Sequence, residues 1–197
     1  MLNVMLTGVG GQGTVLAAKV LAQAAQDKGW HVRTAETIGM AQRGGSVVSH
    51  VRMGNDGEEV FSPLIAFDTA DMIIAFEPAE AARVLPYLAG DGVLVTAETA
   101  IQPVTAALAT DPYRGSDVIE RLYSLFEIGS SRLVVVPDEW ALDQVGNRKA
   151  LNIVLLASAI ATERLPLTLD DLRAAVRVCV KPQFVDLNLR AIDIAAG

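Results

Sequence analysis

The sequence predicts a three-layer α/β/α domain on a mostly parallel sheet, with a helical C-terminal third. Three observations carry this expectation. A strand, a glycine-rich turn, a helix and a second strand follow one another within about 35 residues, the pattern of a crossover between parallel strands. Short runs rich in valine and isoleucine recur over 46–53, 72–76, 93–96 and 133–136, as buried strands do. From Arg148 onward, apolar residues return mainly at helical spacing.

Taken in order, Leu2 to Thr7 is an apolar run ending at glycines and reads as a buried first strand. Leu16, Ala17, Val20, Leu21, Ala24 and Ala25 then repeat at i, i+3, i+4, and Gly29 supplies a helix stop. Trp30 to Ala35 is a second strand, parallel to the first through a right-handed crossover. Ser46 to Met53 is a third, followed by the tight-turn residues Gly54-Asn55-Asp56-Gly57. The return run Glu58 to Phe61 is positioned to pair antiparallel with it. Met72 to Phe76 is a buried strand, and a helix opens at Glu77-Pro78, where proline fits the first turn. Val93 to Thr96 and Leu133 to Val136 add two strands. Helices are expected over Asp117 to Phe126, Arg148 to Thr162, Leu169 to Val178 and Phe184 to Ala195, the second of them fully buried. Thr168 before Asp170 and Asp171 has the form of an N-cap with acids in the first turn. Ile101 to Gly115, holding Pro103 and Pro112, reads as an irregular loop. No repeat or linker divides the chain, so one domain over 1–197 is expected.

The composition narrows the function. At 197 residues and 51% hydrophobic, the chain can bury a sizeable core. With 16 Lys and Arg against 23 Asp and Glu, its net charge of −7 argues against nucleic acid or an anionic membrane as partner. Cys179 is the single cysteine, whereas an iron–sulfur cluster takes about four thiolates. Two histidines, His31 and His50, leave little for a metal site, so no cofactor is expected on this chain alone. Met1 to Leu6 lacks the basic and apolar regions of a signal peptide, and the longest apolar stretch falls short of the roughly 20 residues that span a membrane. A cytoplasmic location is the expectation.

Gly8-Val9-Gly10-Gly11-Gln12-Gly13 carries the dinucleotide-binding spacing at Gly8, Gly10 and Gly13, between a strand and a helix. Such glycines allow close approach of a phosphate to backbone N–H groups at a helix N-terminus. They serve close strand–helix packing equally well without a ligand. Thr14 stands where a P-loop needs its lysine, which argues against that chemistry. Glu36, at the end of the second strand, is placed to accept from a ribose hydroxyl.

The second loop is more specific. Gly39-Met40-Ala41-Gln42-Arg43-Gly44-Gly45-Ser46-Val47-Val48-Ser49-His50-Val51-Arg52 puts a thioether, an amide and a guanidinium before two glycines, at the carboxyl end of the second strand. Open α/β sheets recognise ligands at that edge. The Arg43 fork can meet a carboxylate or phosphate, or close a local salt bridge. Together with the glycine loop, this segment resembles the gamma-type subunits of 2-oxoacid:ferredoxin oxidoreductases, and among them most the indolepyruvate beta subunits. Asn147 to Leu156 and the helix holding Asn188 extend the resemblance over nearly the whole chain.

The resemblance implies a hetero-oligomer. A large subunit would bind thiamine diphosphate, magnesium and iron–sulfur clusters, and electrons would reach ferredoxin indirectly. The product would be an acyl-CoA, so coenzyme A belongs to the complex. This chain would dock on that subunit and be inactive alone, and an isolated copy could pair with itself. Gly8, Gly10, Gly11, Gln12, Gly13, Met40, Gln42, Arg43, Gly44, Gly45, Ser46, Ser49 and His50 are the candidate ligand or partner contacts. No residue is assigned a catalytic role. His50 has the pKa range for acid–base work but also fits a hydrogen-bonded structural histidine. Cys179 reads as an inert core thiol, and Glu120, Glu127, Asp170 and Asp171 as helix-end or solvated acids. The alternatives are a free-standing NAD(P)- or flavin-binding oxidoreductase resting on the glycine loop and Glu36, and a non-catalytic nucleotide-sensing module.

Overall fold

The computed structural model describes residues 1–39, 45–101, 113–126 and 130–196. Its strands are β1 (Leu2–Val9), β2 (His31–Ile38), β3 (Ser46–Gly54), β4 (Ala70–Ala75), β5 (Leu88–Ala97) and β6 (Leu133–Val136). Its helices are α1 (Thr14–Asp27), α2 (Pro78–Val84), α3 (Gly115–Leu125), α4 (Asp138–Val145), α5 (Leu151–Ala161), α6 (Leu169–Cys179) and α7 (Pro182–Ala196). One six-stranded sheet runs in the order β2-β3-β1-β4-β5-β6. The pairings β1–β4, β4–β5 and β5–β6 are parallel, while β3 is antiparallel to both β1 and β2. Five strands therefore point one way and β3 alone points back.

This order corrects two expectations. β1 and β2 share a direction, but β3 lies between them instead of leaving them neighbours. Glu58 to Phe61 forms no strand, because β1 and β2 already occupy both ladder edges of β3. The chain from Glu58 to Ile65 runs as coil and buries Val60 and Ile65. Arg33 Nε donates to the Val60 carbonyl at 3.3 Å and Arg52 Nη1 to the Ser62 carbonyl at 2.8 Å. Backbone groups that gain no ladder partner are met by guanidinium donors.

Strand alternation sorts the core into two layers. Val4 and Leu6 of β1, Met72 and Ile74 of β4, and Val93 and Val95 of β5 face α1, α4, α5, α6 and α7. Met5, Ile73 and Leu94 face the other way, onto Ala81 and Val84 of α2 and Ile119 and Leu122 of α3. Strands covered on both faces explain the unbroken apolar runs. α5 is the buried helix expected from its composition, with Ile153 to Ala157 wholly inaccessible. It is preceded by a single 3₁₀ turn, Arg148–Ala150, which Asn147 caps by accepting the Lys149 N–H at 2.9 Å. Thr168 forms a reciprocal capping box with Asp171, an arrangement worth about 1 kcal/mol.

α4 lies outside the helices read from the sequence. Its signals are present: Pro137 before it, Asp138 and Glu139 in its first turn, and a left-handed Gly146 (φ 75°) closing it. At eight residues it is too short for periodicity to stand out.

Candidate functional site

The glycine loop closes on itself through Gln12. Its Oε1 accepts from Val9 N at 2.6 Å and its Nε2 donates to the Phe76 carbonyl at 2.7 Å. Gln12 thus bridges the carboxyl ends of β1 and β4, where the chain leaves the sheet toward opposite faces, α1 on one and α2 on the other. That is the switch point at which such sheets bind ligands. Both ends of its amide are occupied inside the protein, so Gln12 shapes the cleft more than it reads a ligand.

The glycines divide their work. A Cβ at Gly8 would lie 2.7 Å from Gln12 Oε1 and 3.1 Å from Phe76. Gly11 (φ 103°) and Gly13 (φ 84°) are left-handed, and a Cβ at Gly13 would lie 2.8 Å from Asn152 Nδ2. Gly13 caps α1 with no side-chain hydrogen bond, and the first helical bond runs from Ala17 N to the Gly13 carbonyl. The N–H groups of α1's first turn therefore have no helical acceptor and carry the positive end of its dipole.

Gly10, Gly11, Gln12 and Gly13 form one wall of a cleft of about 550 Å³. The rest of its lining comes from Leu16 of α1, Thr99 and Ile101 beyond β5, Asp138 and Leu142 of α4, Arg148 and Lys149 of the 3₁₀ turn, and Leu151 and Asn152 of α5. The buried Asp138 carboxylate accepts from the Glu98 and Thr99 N–H groups, each at 2.9 Å, and so fixes the β5 exit. Among the described residues Lys149 has no ion-pair partner, and Arg148 has Glu139 at 3.9 Å. Two cations and a helix N-terminus facing one apolar-walled space favour an anion.

Sequence reasoning missed Asp138, Arg148, Lys149 and Asn152 as lining residues. One signal was available: a basic pair where an apolar helix begins is unfavourable to the helix dipole and calls for another reason.

The second loop meets the first, as its position after β2 predicts. Gly10 N donates to the Gly45 carbonyl at 2.9 Å, and Gly39 N to the Ser46 carbonyl at 2.8 Å. Ser46 Oγ donates to the buried Glu80 carboxylate. Glu77, also buried, caps α2 and accepts from the Tyr113 hydroxyl. Burial, and then that carboxylate, push the Tyr113 phenol above its ordinary value. Met40, Gln42, Arg43 and Gly44 lie outside the described residues.

Three candidates stand away from the cleft. His50 sits opposite Met5, mid-strand. Its Nδ1 accepts from Ile65 N at 3.3 Å, and its ring meets Tyr87 edge-on. Burial holds its pKa below 6.5. A neutral, roofed histidine is structural, not an acid–base group for this cleft. Ser49 is fully buried between Leu6 and Glu36 in register. Glu36 lines a separate groove with Lys19 and Gln23, since β3 removes β2 from the glycine loop. The ribose acceptor required by a nicotinamide site is thus displaced. Cys179 packs against the core with part of its surface open, and burial raises its thiol pKa. Among the described residues no three His, Cys, Asp or Glu side chains converge on a metal-sized space, and no helix is long and apolar enough to cross a membrane.

The state of His50 gives a pH dependence. A pKa lower in the fold than in the unfolded chain means the unfolded chain takes up the proton first, so stability is full above pH 6.5 and falls as pH drops below it. The urea midpoint of wild type should fall further between pH 7.5 and 5.5 than that of His50→Gln. Equal falls would show that His50 does not titrate differently on folding.

A family model described as pyruvate ferredoxin/flavodoxin oxidoreductase matches residues 3–197. The Pyrococcus horikoshii indolepyruvate oxidoreductase subunit IorB is 34% identical over 192 residues, covering 98% of this chain and 93% of that one. Two solved structures share the fold. The keto/oxoacid ferredoxin oxidoreductase gamma subunit of Geobacter sulfurreducens has a TM-score of 0.68 at 22% identity, covering 100% of this chain and 96% of the other. The 2-oxoglutarate:ferredoxin oxidoreductase of Magnetococcus marinus, solved with 2-oxoglutarate, coenzyme A and succinyl-CoA, has a TM-score of 0.69 at 16% identity; the match covers 98% of this chain and 30% of that one.

Proposed function

Because the chain belongs to the pyruvate ferredoxin/flavodoxin oxidoreductase family, we propose that it is the cluster-free subunit of a 2-oxoacid:ferredoxin oxidoreductase acting on an aryl pyruvate such as indolepyruvate. It works as one gamma-type domain over 1–197, docked on a large subunit in the cytoplasm. Its cleft holds the phosphate end of coenzyme A. The observation that carries this reading is the uncapped α1 N-terminus sharing one cleft with Arg148 and Lys149. A di- or monophosphate fits that charge pattern, and the apolar wall of Leu16, Leu142 and Leu151 suits the uncharged parts of the same molecule. The Magnetococcus marinus relative of the same fold contains coenzyme A, which agrees in ligand class.

Thiamine diphosphate would supply the decarboxylation and iron–sulfur clusters the electron path, and one cysteine cannot hold such a cluster. The work of this chain is to bind and orient an anionic acyl acceptor, so that the thiol end reaches a reaction centre on another chain.

Purified alone, the chain should be colourless and inactive. Added to its large subunit, it should restore 2-oxoacid- and CoA-dependent reduction of a viologen dye. Full activity of the large subunit without it would overturn the reading.

A further inference from the structure

Asp138, at the start of α4, is only 2% exposed, and its two oxygens are treated differently. Oδ1 accepts from Glu98 N and from Thr99 N, each at 2.9 Å, which fills its two lone pairs. Among the described residues Oδ2 accepts from nothing. The first turn of α4 does not use it, since Ala141 N donates to the Pro137 carbonyl at 3.3 Å. No described cation pairs with it either; Arg148 has Glu139 instead, at 3.9 Å. Oδ2 is not sealed in, as the unpartnered hydroxyls of Thr7, Thr14 and Ser49 are. The little contact that Asp138 keeps with solvent is made through the cleft it lines.

A carboxylate placed this deeply needs a partner for each oxygen. The structure assigns Asp138 Oδ2 as the acceptor for an uncharged donor, a hydroxyl or an N–H, on the molecule bound in the glycine cleft. This rests on the coenzyme A reading above. The charges around the cleft decide the class of donor. Arg148, Lys149 and the positive end of α1 border the same space and disfavour a metal ion beside Asp138. Among the described residues no set of His, Cys, Asp or Glu forms there to hold one. The carboxylate itself repels phosphate. The phosphates therefore belong with Gly10 to Gly13 and the basic pair, and a neutral donor elsewhere on the same molecule meets Oδ2.

The position also answers a difference from the dinucleotide pattern. Sheets of that kind read a ribose hydroxyl with an acid at the end of the second strand, but Glu36 lines another groove here. Asp138 follows the end of β6 and reaches the cleft from the opposite side of the switch point. Its Oδ1 is held by two backbone N–H groups, so Oδ2 is fixed before the ligand arrives and little ordering is lost on binding. Coenzyme A carries suitable donors in both halves: the ribose hydroxyl and adenine amine in one, a hydroxyl and amides in the other.

Asp138→Asn tests the assignment because it is nearly isosteric. Its carbonyl oxygen can keep both backbone N–H groups, and its NH₂ then puts a donor where the acceptor was. Titration calorimetry of the assembled enzyme compares coenzyme A, adenosine 3′,5′-bisphosphate, phosphopantetheine and inorganic pyrophosphate. The variant should bind coenzyme A and one of its two halves at least about tenfold more weakly, and the half affected identifies the source of the donor. Pyrophosphate, which offers phosphate groups alone, should bind as well as before or better. Unchanged or tighter coenzyme A binding would overturn the assignment. So would an equal loss for pyrophosphate, the mark of a collapsed cleft. If the variant does not fold, the donors are removed from the ligand and wild type is used. One of the 2′-deoxy or desamino forms of the bisphosphate, or of the deoxy or N-methylated forms of phosphopantetheine, should then lose the same factor, and no loss in any of them would overturn the assignment. Wild type that binds no coenzyme A would instead overturn the reading beneath it, and the assignment with it.

Discussion

Replacing Arg148 and Lys149 together by alanine should raise the KM for coenzyme A in the assembled enzyme by about tenfold to a hundredfold, with kcat changed little. Both residues line the cleft that the α1 N-terminus also borders. Charge-assisted contacts to phosphate are worth about 1.5–3 kcal/mol each when shielded. The Arg148 side chain is 64% exposed, so screening reduces its share and the pair together is expected near the lower end. A group that binds the remote phosphates equally in ground and transition states changes KM and leaves kcat alone. Steady-state kinetics at varied CoA and saturating 2-oxoacid separate the two. An unchanged KM would remove coenzyme A from this cleft, while a fall in kcat alone would place the pair in docking.

Gly13→Ala should be the most damaging small substitution in the glycine loop. A left-handed alanine costs about 1–2 kcal/mol in backbone strain, and overpacking adds about 1–3 kcal/mol. The overpacking arises because the new Cβ would lie 2.8 Å from Asn152 Nδ2. Asn152 is almost wholly buried and accepts its neighbour Ile153 N–H at 3.0 Å, so it cannot simply swing away. A loss of about 2–5 kcal/mol should lower the melting temperature by roughly 4–20 °C for a chain of this size. Asn152→Ala in the same chain should recover the steric part but not the backbone part. Additivity of the two single changes would show that the clash is not what Gly13 avoids.

The elements that could be read from sequence were those with a strong local cause. β1, β4 and β6 are apolar runs with abrupt ends, α1 and α6 have clear faces, and Thr168 announces its own cap. The place of β3 was not legible. Its valines and the turn at Gly54–Gly57 suit a hairpin with Glu58–Phe61 as well as they suit pairing with β1 and β2. Only the competition among strands for the same backbone edges decides, and that is a non-local matter. The meeting of the two loops was legible as a tendency, because both follow strands that end on one side of the sheet. The Arg148–Lys149 wall was not, since over 130 residues separate it from the glycine loop. Register likewise decided His50, which chemistry alone could not place. Met5, its partner, lies four residue steps from Val9 at the strand end, roughly 13 Å at 3.3 Å per step.

The reversed strand β3 also bears on the order in which a growing chain can fold. Among the described residues β2 has no partner in the sheet except β3, so the first 38 residues, although they contain two strands and a helix, lack a ladder to join them. As the chain emerges from the ribosome, β2 waits for residues 46–54, which must enter between two strands made earlier. Nascent chains released after residue 45 should therefore stay sensitive to protease, and protection of β2 should begin only once β3 has emerged.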